Sequence, residues 1–205
     1  MLFFIYDINS MTDSDADNWF RDADETKKSD IMRLLNLQKR KSKIAADHLC
    51  RKAISEFCGI APQDISFSKN EYGKPFADNL QVYFSVSHSG DMVVCAVSDT
   101  EIGIDIEKVK PYNFRTAERF ATPHELEYIS SSQNGFFEIW TLKEAYFKCI
   151  GTGLGADIKK VSFEITPQKI ICSEKGFDFS FIDAANGYIC SVCHKSKNNF
   201  SNREI

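Results

Sequence analysis

The spacing of apolar residues changes several times along the chain, and each change marks an element. Residues 2–8 are apolar and strand-like, and residues 13–30 are polar and acidic with helical stretches. From residue 31 apolar positions recur at helical spacing, through 31–37 and then Ala46, Leu49, Cys50, Ala53 and Phe57, until Cys58-Gly59 stops the run. Pro62 opens a loop, and residues 67–79 are turn-rich. Residues 82–86 and 92–97 read as strands around a polar turn at 87–90. Ile102, Ile104 and Ile106 then alternate with Gly103, Asp105 and Glu107, the period of a half-buried strand, and Pro111 ends the run. Helices are predicted over 114–120 and 123–131, the second with Thr122 as N-cap and Pro123 in its first turn. The strongest helix covers 136–150 and is stopped by Gly151, Gly153 and Gly155. Short strands at 161–165, 169–172, 177–182 and 188–193 follow, and the polar stretch after Lys195 is expected to fray.

Gly90-Asp-Met-Val-Val-Cys-Ala-Val97 is echoed by Gly187-Tyr-Ile-Cys-Ser-Val192, which suggests two α+β halves of similar plan meeting near Gly103. At 205 residues the chain can hold one large domain or two small ones around a shared core. A net charge of −4 argues against a dedicated nucleic-acid binder, whose affinity would rest on neutralising phosphates. Positive charge is nevertheless clustered at Lys39-Arg-Lys-Ser-Lys43 and Arg51-Lys52, enough for a local anion site. No apolar run approaches a membrane span, and the first residues are too short and lack the basic start of a signal peptide, so a cytoplasmic protein is expected. The 7 cysteines are scattered, and Cys190 and Cys193 would point to opposite faces of a strand, so reduced structural thiols are expected rather than disulfides or zinc.

The alternating strand puts Asp105 and Glu107 on one face, with Gly103 leaving open space beside them. Adjacent like charges repel unless a cation or hydrogen-bond donor intervenes. A solvated polar face and a divalent cation site are about equally good readings of that strand alone. Glu144 shares a helix face with Phe137, Trp140, Phe147 and Lys148, where a carboxylate needs a partner. Lys148, one turn on, is the simple candidate, but an exposed pair of that kind contributes only about 0.3–0.5 kcal/mol. The alternative has Glu144 joining Asp105 and Glu107 around a metal, with Lys143 and Lys148 facing an anionic substrate. Ser87-His88-Ser89 offers hydroxyls, turn amides and an imidazole, the ingredients of a phosphate cradle. Gly73 and Pro75 hold Lys74 on a rigid turn.

In order, Glu71-Tyr-Gly-Lys-Pro75, Phe84-Ser-Val-Ser-His-Ser89, Ile102-Gly-Ile-Asp-Ile-Glu107 and Trp140-Thr-Leu-Lys-Glu-Ala145 resemble the 4'-phosphopantetheinyl transferase superfamily, in its longer, surfactin-synthetase-activating type. The resemblance runs from about residue 39 to 165. It implies an α+β fold of two similar halves packed as a pseudo-twofold monomer, 1–102 and 103–205, with the active site in the cleft between them. It implies transfer of the phosphopantetheine arm of coenzyme A to a serine of an acyl or peptidyl carrier protein, releasing adenosine 3',5'-bisphosphate. Mg²⁺ would be held by Asp105, Glu107 and Glu144, with Lys148 near the pyrophosphate and Glu144, Glu125 or a metal-bound water taking the serine proton. Lys74, Pro75, Ser87 and His88 would lie near the nucleotide, and Arg40 and Lys43 near the 3'-phosphate, with Ser42 in a neighbouring slot. The competing reading is a coenzyme A-binding module that has lost catalysis.

Overall fold

The computed structural model describes residues 1–78, 80–155 and 158–197, so the tail expected to fray lies, from 198 onward, outside the described residues. Two three-stranded antiparallel sheets organise the chain. The first contains β1 (Leu2–Asp7), β4 (Tyr83–Ser89) and β5 (Met92–Ser98), in the order β1-β5-β4. The second contains β6 (Ile102–Lys108), β9 (Phe177–Ile182) and β10 (Tyr188–Lys195), in the order β6-β10-β9. One long helix packs on each, α3 (Leu37–Cys58) on the first and α6 (Gly135–Ile150) on the second. A small hairpin follows each helix: β2 (Phe67–Lys69) with β3 (Pro75–Ala77), and β7 (Phe163–Ile165) with β8 (Ile170–Cys172). Both halves therefore run strand, helix, hairpin, strand, strand, with the last strand in the middle of its sheet. The fold is α+β with two similar halves.

The internal echo falls on the corresponding strands β5 and β10, but its cysteines are not equivalent. Cys95 faces α3, whereas Cys190 lies on the opposite face, in the apolar layer shared by the two sheets. That layer joins Met92, Val94 and Ala96 of β5 to Ile102, Ile104 and Ile106 of β6. Cys193 points the other way, into the core under α6, as the odd spacing from Cys190 requires. The cysteines among these residues are free thiols.

Helices α1 (Asp13–Asp22) and α2 (Glu25–Met32) occupy the acidic N-terminal segment. The helical spacing that ran on from residue 31 is broken at 33–36, because Asn36 caps α3 by accepting from the Lys39 N–H. In the second half, α4 (Phe114–Phe120) and α5 (Pro123–Ser131) lie where the pattern put them, with Thr122 capping α5.

Two corrections bear on the site. Ser87-His88-Ser89 is not a turn: it is the end of β4, and only Gly90 and Asp91 turn the chain. Phe84 faces the core under α3 while Ser85, Ser87 and Ser89 take the alternate positions, so the segment has a strand's period throughout. Gly103 has no open space either. A Cβ there would run into the backbone of α6 at Ala145 and Cys149. The missing side chain is what lets α6 lie directly on β6.

Candidate active site

The close approach of α6 at Gly103 places Glu144 and Lys148, one helical turn apart, above the next residues of β6. Asp105 is 3% exposed. Its Oδ1 accepts from Lys148 Nζ at 2.6 Å and from Ser87 Oγ at 2.7 Å. Its Oδ2 is buried with no hydrogen-bond partner, an expensive arrangement for a carboxylate oxygen. Glu107, two residues on and half-buried, accepts at Oε2 from Ser89 Oγ at 2.7 Å. Lys148 Nζ also donates to Ser87 Oγ at 2.9 Å. Glu144 has its pKa pushed up from 4.5 to about 7, first by burial and next by the Asp105 charge, with Glu107 adding and Lys148 opposing. Three carboxylates and one ammonium thus share a small space, and the negative charge is in excess.

Among the described residues no three His, Cys, Asp or Glu side chains converge closely enough to form a ready cation cage. The donor set still suits a magnesium ion, which takes hard oxygen ligands, uses only one or two carboxylates directly and completes its shell with water and phosphate oxygens. Asp105 Oδ2 is a buried carboxylate oxygen without a partner, as such a ligand would be.

A cleft of about 290 Å³ opens beside these groups, lined by Glu144 and Lys148 together with Lys74, Pro75, Phe84 and Val86. It adjoins a second cavity of about 350 Å³ that shares Pro75, Phe84 and Val86 as a wall and carries Lys27 and Lys69 together with Asp24, Asp30 and Asp47, the last of which pairs with Lys27 at 3.7 Å. Lys43 belongs to the same basic group. Its pKa is pulled below the usual lysine value by partial desolvation and then by the charges of Lys27 and Lys69. His88, exposed near the end of β4, is likewise lowered by desolvation first and then by the charges of Lys43 and Lys148. Lys27 and Lys69 escaped the sequence reading because they lie on α2 and β2, far in sequence from the 39–43 cluster. Another cavity of about 520 Å³, lined by Met1, Asp99, Asp178 and His194, contains none of the candidate residues.

Several expected contacts are absent. Glu125 is fully buried in the second half, where it pairs with the equally buried Lys143 at 3.0 Å. It also accepts from the Thr122 N–H at 2.7 Å and the Phe163 N–H at 3.0 Å. With both oxygens engaged it presents no face to a substrate hydroxyl. Lys143 does not face a substrate: its ammonium donates to Glu125 and to the carbonyls of Ile158 and Val161. Arg40 is committed to the carbonyls of Leu34 and Met32, closing the turn between α2 and α3. Ser42 is buried and bonds back to the Gln38 carbonyl. Lys74 lines the cleft, but its Nζ donates to the carbonyls of Cys149 at 2.9 Å and Ile102 at 3.3 Å, so it caps α6 from the other half. Burial lowers its pKa.

These features are found in a chain with clear relatives. The 4'-phosphopantetheinyl transferase superfamily matches residues 101–193, and the N-terminal region of 4'-phosphopantetheinyl transferases matches residues 12–100. The chain is 36% identical to the 4'-phosphopantetheinyl transferase gsp of Aneurinibacillus migulanus, over 82% of this chain and 74% of that one. It is 31% identical to the 4'-phosphopantetheinyl transferase ffp of Bacillus subtilis, over 94% and 91%. The holo-[acyl-carrier-protein] synthase of Thermotoga maritima overlays on 48% of this chain and 64% of its own with a TM-score of 0.41 and 23% identity, too slight a likeness to bear on activity. The chain belongs to the 4'-phosphopantetheinyl transferase superfamily, and it is an enzyme of that type.

Proposed function

We propose that this enzyme transfers the 4'-phosphopantetheine arm of coenzyme A to a serine of an acyl or peptidyl carrier protein, with Mg²⁺ as cofactor and adenosine 3',5'-bisphosphate as the leaving product. The observation that carries the metal assignment is the unpartnered Oδ2 of buried Asp105 beside a second carboxylate, Glu107. Asp105 and Glu107 would hold the cation, which supplies charge neutralisation and Lewis-acid polarisation of the phosphoryl oxygens. The two adjoining cavities suit a long ligand with a charged end. Lys69 and Lys43, with Lys27 once it turns from its pair with Asp47, offer the 3'-phosphate its counter-charges, while Pro75, Phe84 and Val86 form an apolar wall shared by the two cavities.

In the reaction the serine oxygen forms a bond to the β-phosphorus, and the bridging oxygen leaves with the nucleotide. Lys148 stands close enough to Asp105 to share the negative charge that builds on the phosphoryl group. The serine proton goes to Glu144, a carboxylate that lines the cleft beside Lys148. The halves divided at 102/103, a monomeric state and a cytoplasmic location belong to the same reading. Among the described residues no helix is long and apolar enough to cross a membrane.

Calorimetric titration of coenzyme A tests the assignment. Asp105→Asn should abolish the Mg²⁺-dependent part of binding and reduce transfer by orders of magnitude while circular dichroism stays native. An Asp105→Asn protein that keeps its Mg²⁺ response would refute the metal role.

A further inference from the structure

We propose that Ser89 is a positioning residue for this reaction: its hydroxyl, held by the backbone of the opposite half, fixes one oxygen of Glu107 and leaves the other free for a cation. The inference rests on the metal assignment proposed above.

The two halves meet where β6 runs alongside β4 in the same direction. No backbone ladder joins them. The three alternate serines of β4 do so instead. Ser85 Oγ accepts from the Ile104 N–H at 3.1 Å, and Ser89 Oγ accepts from the Lys108 N–H at 3.1 Å. A hydroxyl has a single proton to give, and the backbone donor settles where it goes. With the Lys108 N–H directed at its oxygen, the Ser89 proton is donated to Glu107 Oε2, 2.7 Å away. Ser87 works the same way. Lys148 donates to its Oγ at 2.9 Å, so its own proton goes to Asp105 Oδ1 at 2.7 Å.

One oxygen of each carboxylate is therefore pinned from β4. At Asp105 the remaining oxygen is the buried, unpartnered Oδ2. Glu107 has one more rotatable bond and is half-buried, so it has the more freedom to lose when a ligand binds. Ser89 removes part of that freedom beforehand. Hydrogen bonds to metal-binding side chains commonly account for 10–100-fold in metal affinity. Ser85 serves as the internal control, because its hydroxyl closes the same seam without touching a carboxylate.

The test uses the full chain and Mn²⁺ alone as probe, with free Mn²⁺ read by electron paramagnetic resonance. Alongside it, the Mg²⁺ concentration for half-maximal transfer and the thermal midpoint are measured without metal. Ser89→Ala should weaken Mn²⁺ binding by about tenfold or more and raise the half-maximal Mg²⁺ concentration by a similar factor, with most of the rate recovered at saturating Mg²⁺. Ser89→Thr, which keeps the hydroxyl, should bind as the wild type does. Ser85→Ala should lower the thermal midpoint about as much as Ser89→Ala and leave Mn²⁺ binding unchanged. Wild-type Mn²⁺ affinity in Ser89→Ala would overturn the proposal, as would an equal loss in Ser85→Ala, which would mean that the seam and not the carboxylate is what matters. A wild-type protein that binds no Mn²⁺ would overturn the metal assignment itself.

Discussion

Replacing Glu144 with glutamine removes an ionisation that the folded protein resists. Burial and the neighbouring Asp105 charge raise its pKa from 4.5 to about 7. The native state therefore holds a proton that the unfolded chain has released anywhere between those values. Stability falls as pH rises wherever the native state binds more protons, so the wild type should lose stability from pH 4.5 upward and level off above 7. Each tenfold change in protonation equilibrium is worth about 1.4 kcal/mol. Taken at face value the shift gives an upper bound of about 3 kcal/mol, and the partial exposure of Glu144 discounts this to about 2 kcal/mol. Urea denaturation of the metal-free wild type and Glu144→Gln at pH 5 and pH 8 measures the effect. The glutamine variant should be more stable at pH 8 by about 2 kcal/mol and indistinguishable at pH 5. Adding Mg²⁺ with coenzyme A should restore the wild type but not the variant. Parallel pH profiles for the two proteins would refute the placement of Glu144 in a crowded, carboxylate-rich site.

Gly103→Ala should cost about 3 kcal/mol or more, because the new methyl group meets the α6 backbone at Ala145 and Cys149 rather than a movable side chain; an unchanged urea midpoint would contradict this packing. Glu125→Ala should cost about 3–5 kcal/mol by leaving buried Lys143 without its counter-charge, yet the transfer rate per folded molecule should hold. A selective loss of rate with native stability would return Glu125 to the catalytic group. Lys27→Ala and Lys43→Ala should each weaken coenzyme A about tenfold, a loss of about 1.4 kcal/mol, and leave dephospho-coenzyme A, which lacks the 3'-phosphate, nearly unaffected. Equal losses for both ligands, read by calorimetry, would remove these lysines from the 3'-phosphate.

Much of the fold was legible because its signals are local. The alternation of Ile102, Ile104 and Ile106 fixes which face of β6 is buried, and the caps at Thr122 and Gly151 mark helix ends that the structure keeps. The seam between the halves was not legible. Ser87-His88-Ser89 looks like a polar turn until a second strand lies across it. Gly103 was misread for the same reason, since the helix that fills its space lies more than thirty residues away in the chain. Residue type alone could not separate the acids at 125 and 144. Both follow helix-forming patterns, but one is sealed against Lys143 while the other borders a cleft. Arg40 looked like part of a basic cluster, and only the break between α2 and α3 shows that its guanidinium is used on carbonyls. Lys27 and Lys69 show the converse: a charge cluster assembled by folding leaves no run of letters to find.

The central claim is most directly tested by intact mass spectrometry of apo carrier proteins incubated with this enzyme, coenzyme A and Mg²⁺, with an EDTA control. The account predicts a gain of one phosphopantetheine on a serine, lost with EDTA and restored by excess Mg²⁺. No gain on fatty-acid, polyketide or peptide carrier proteins, or a gain undiminished by EDTA, would contradict it.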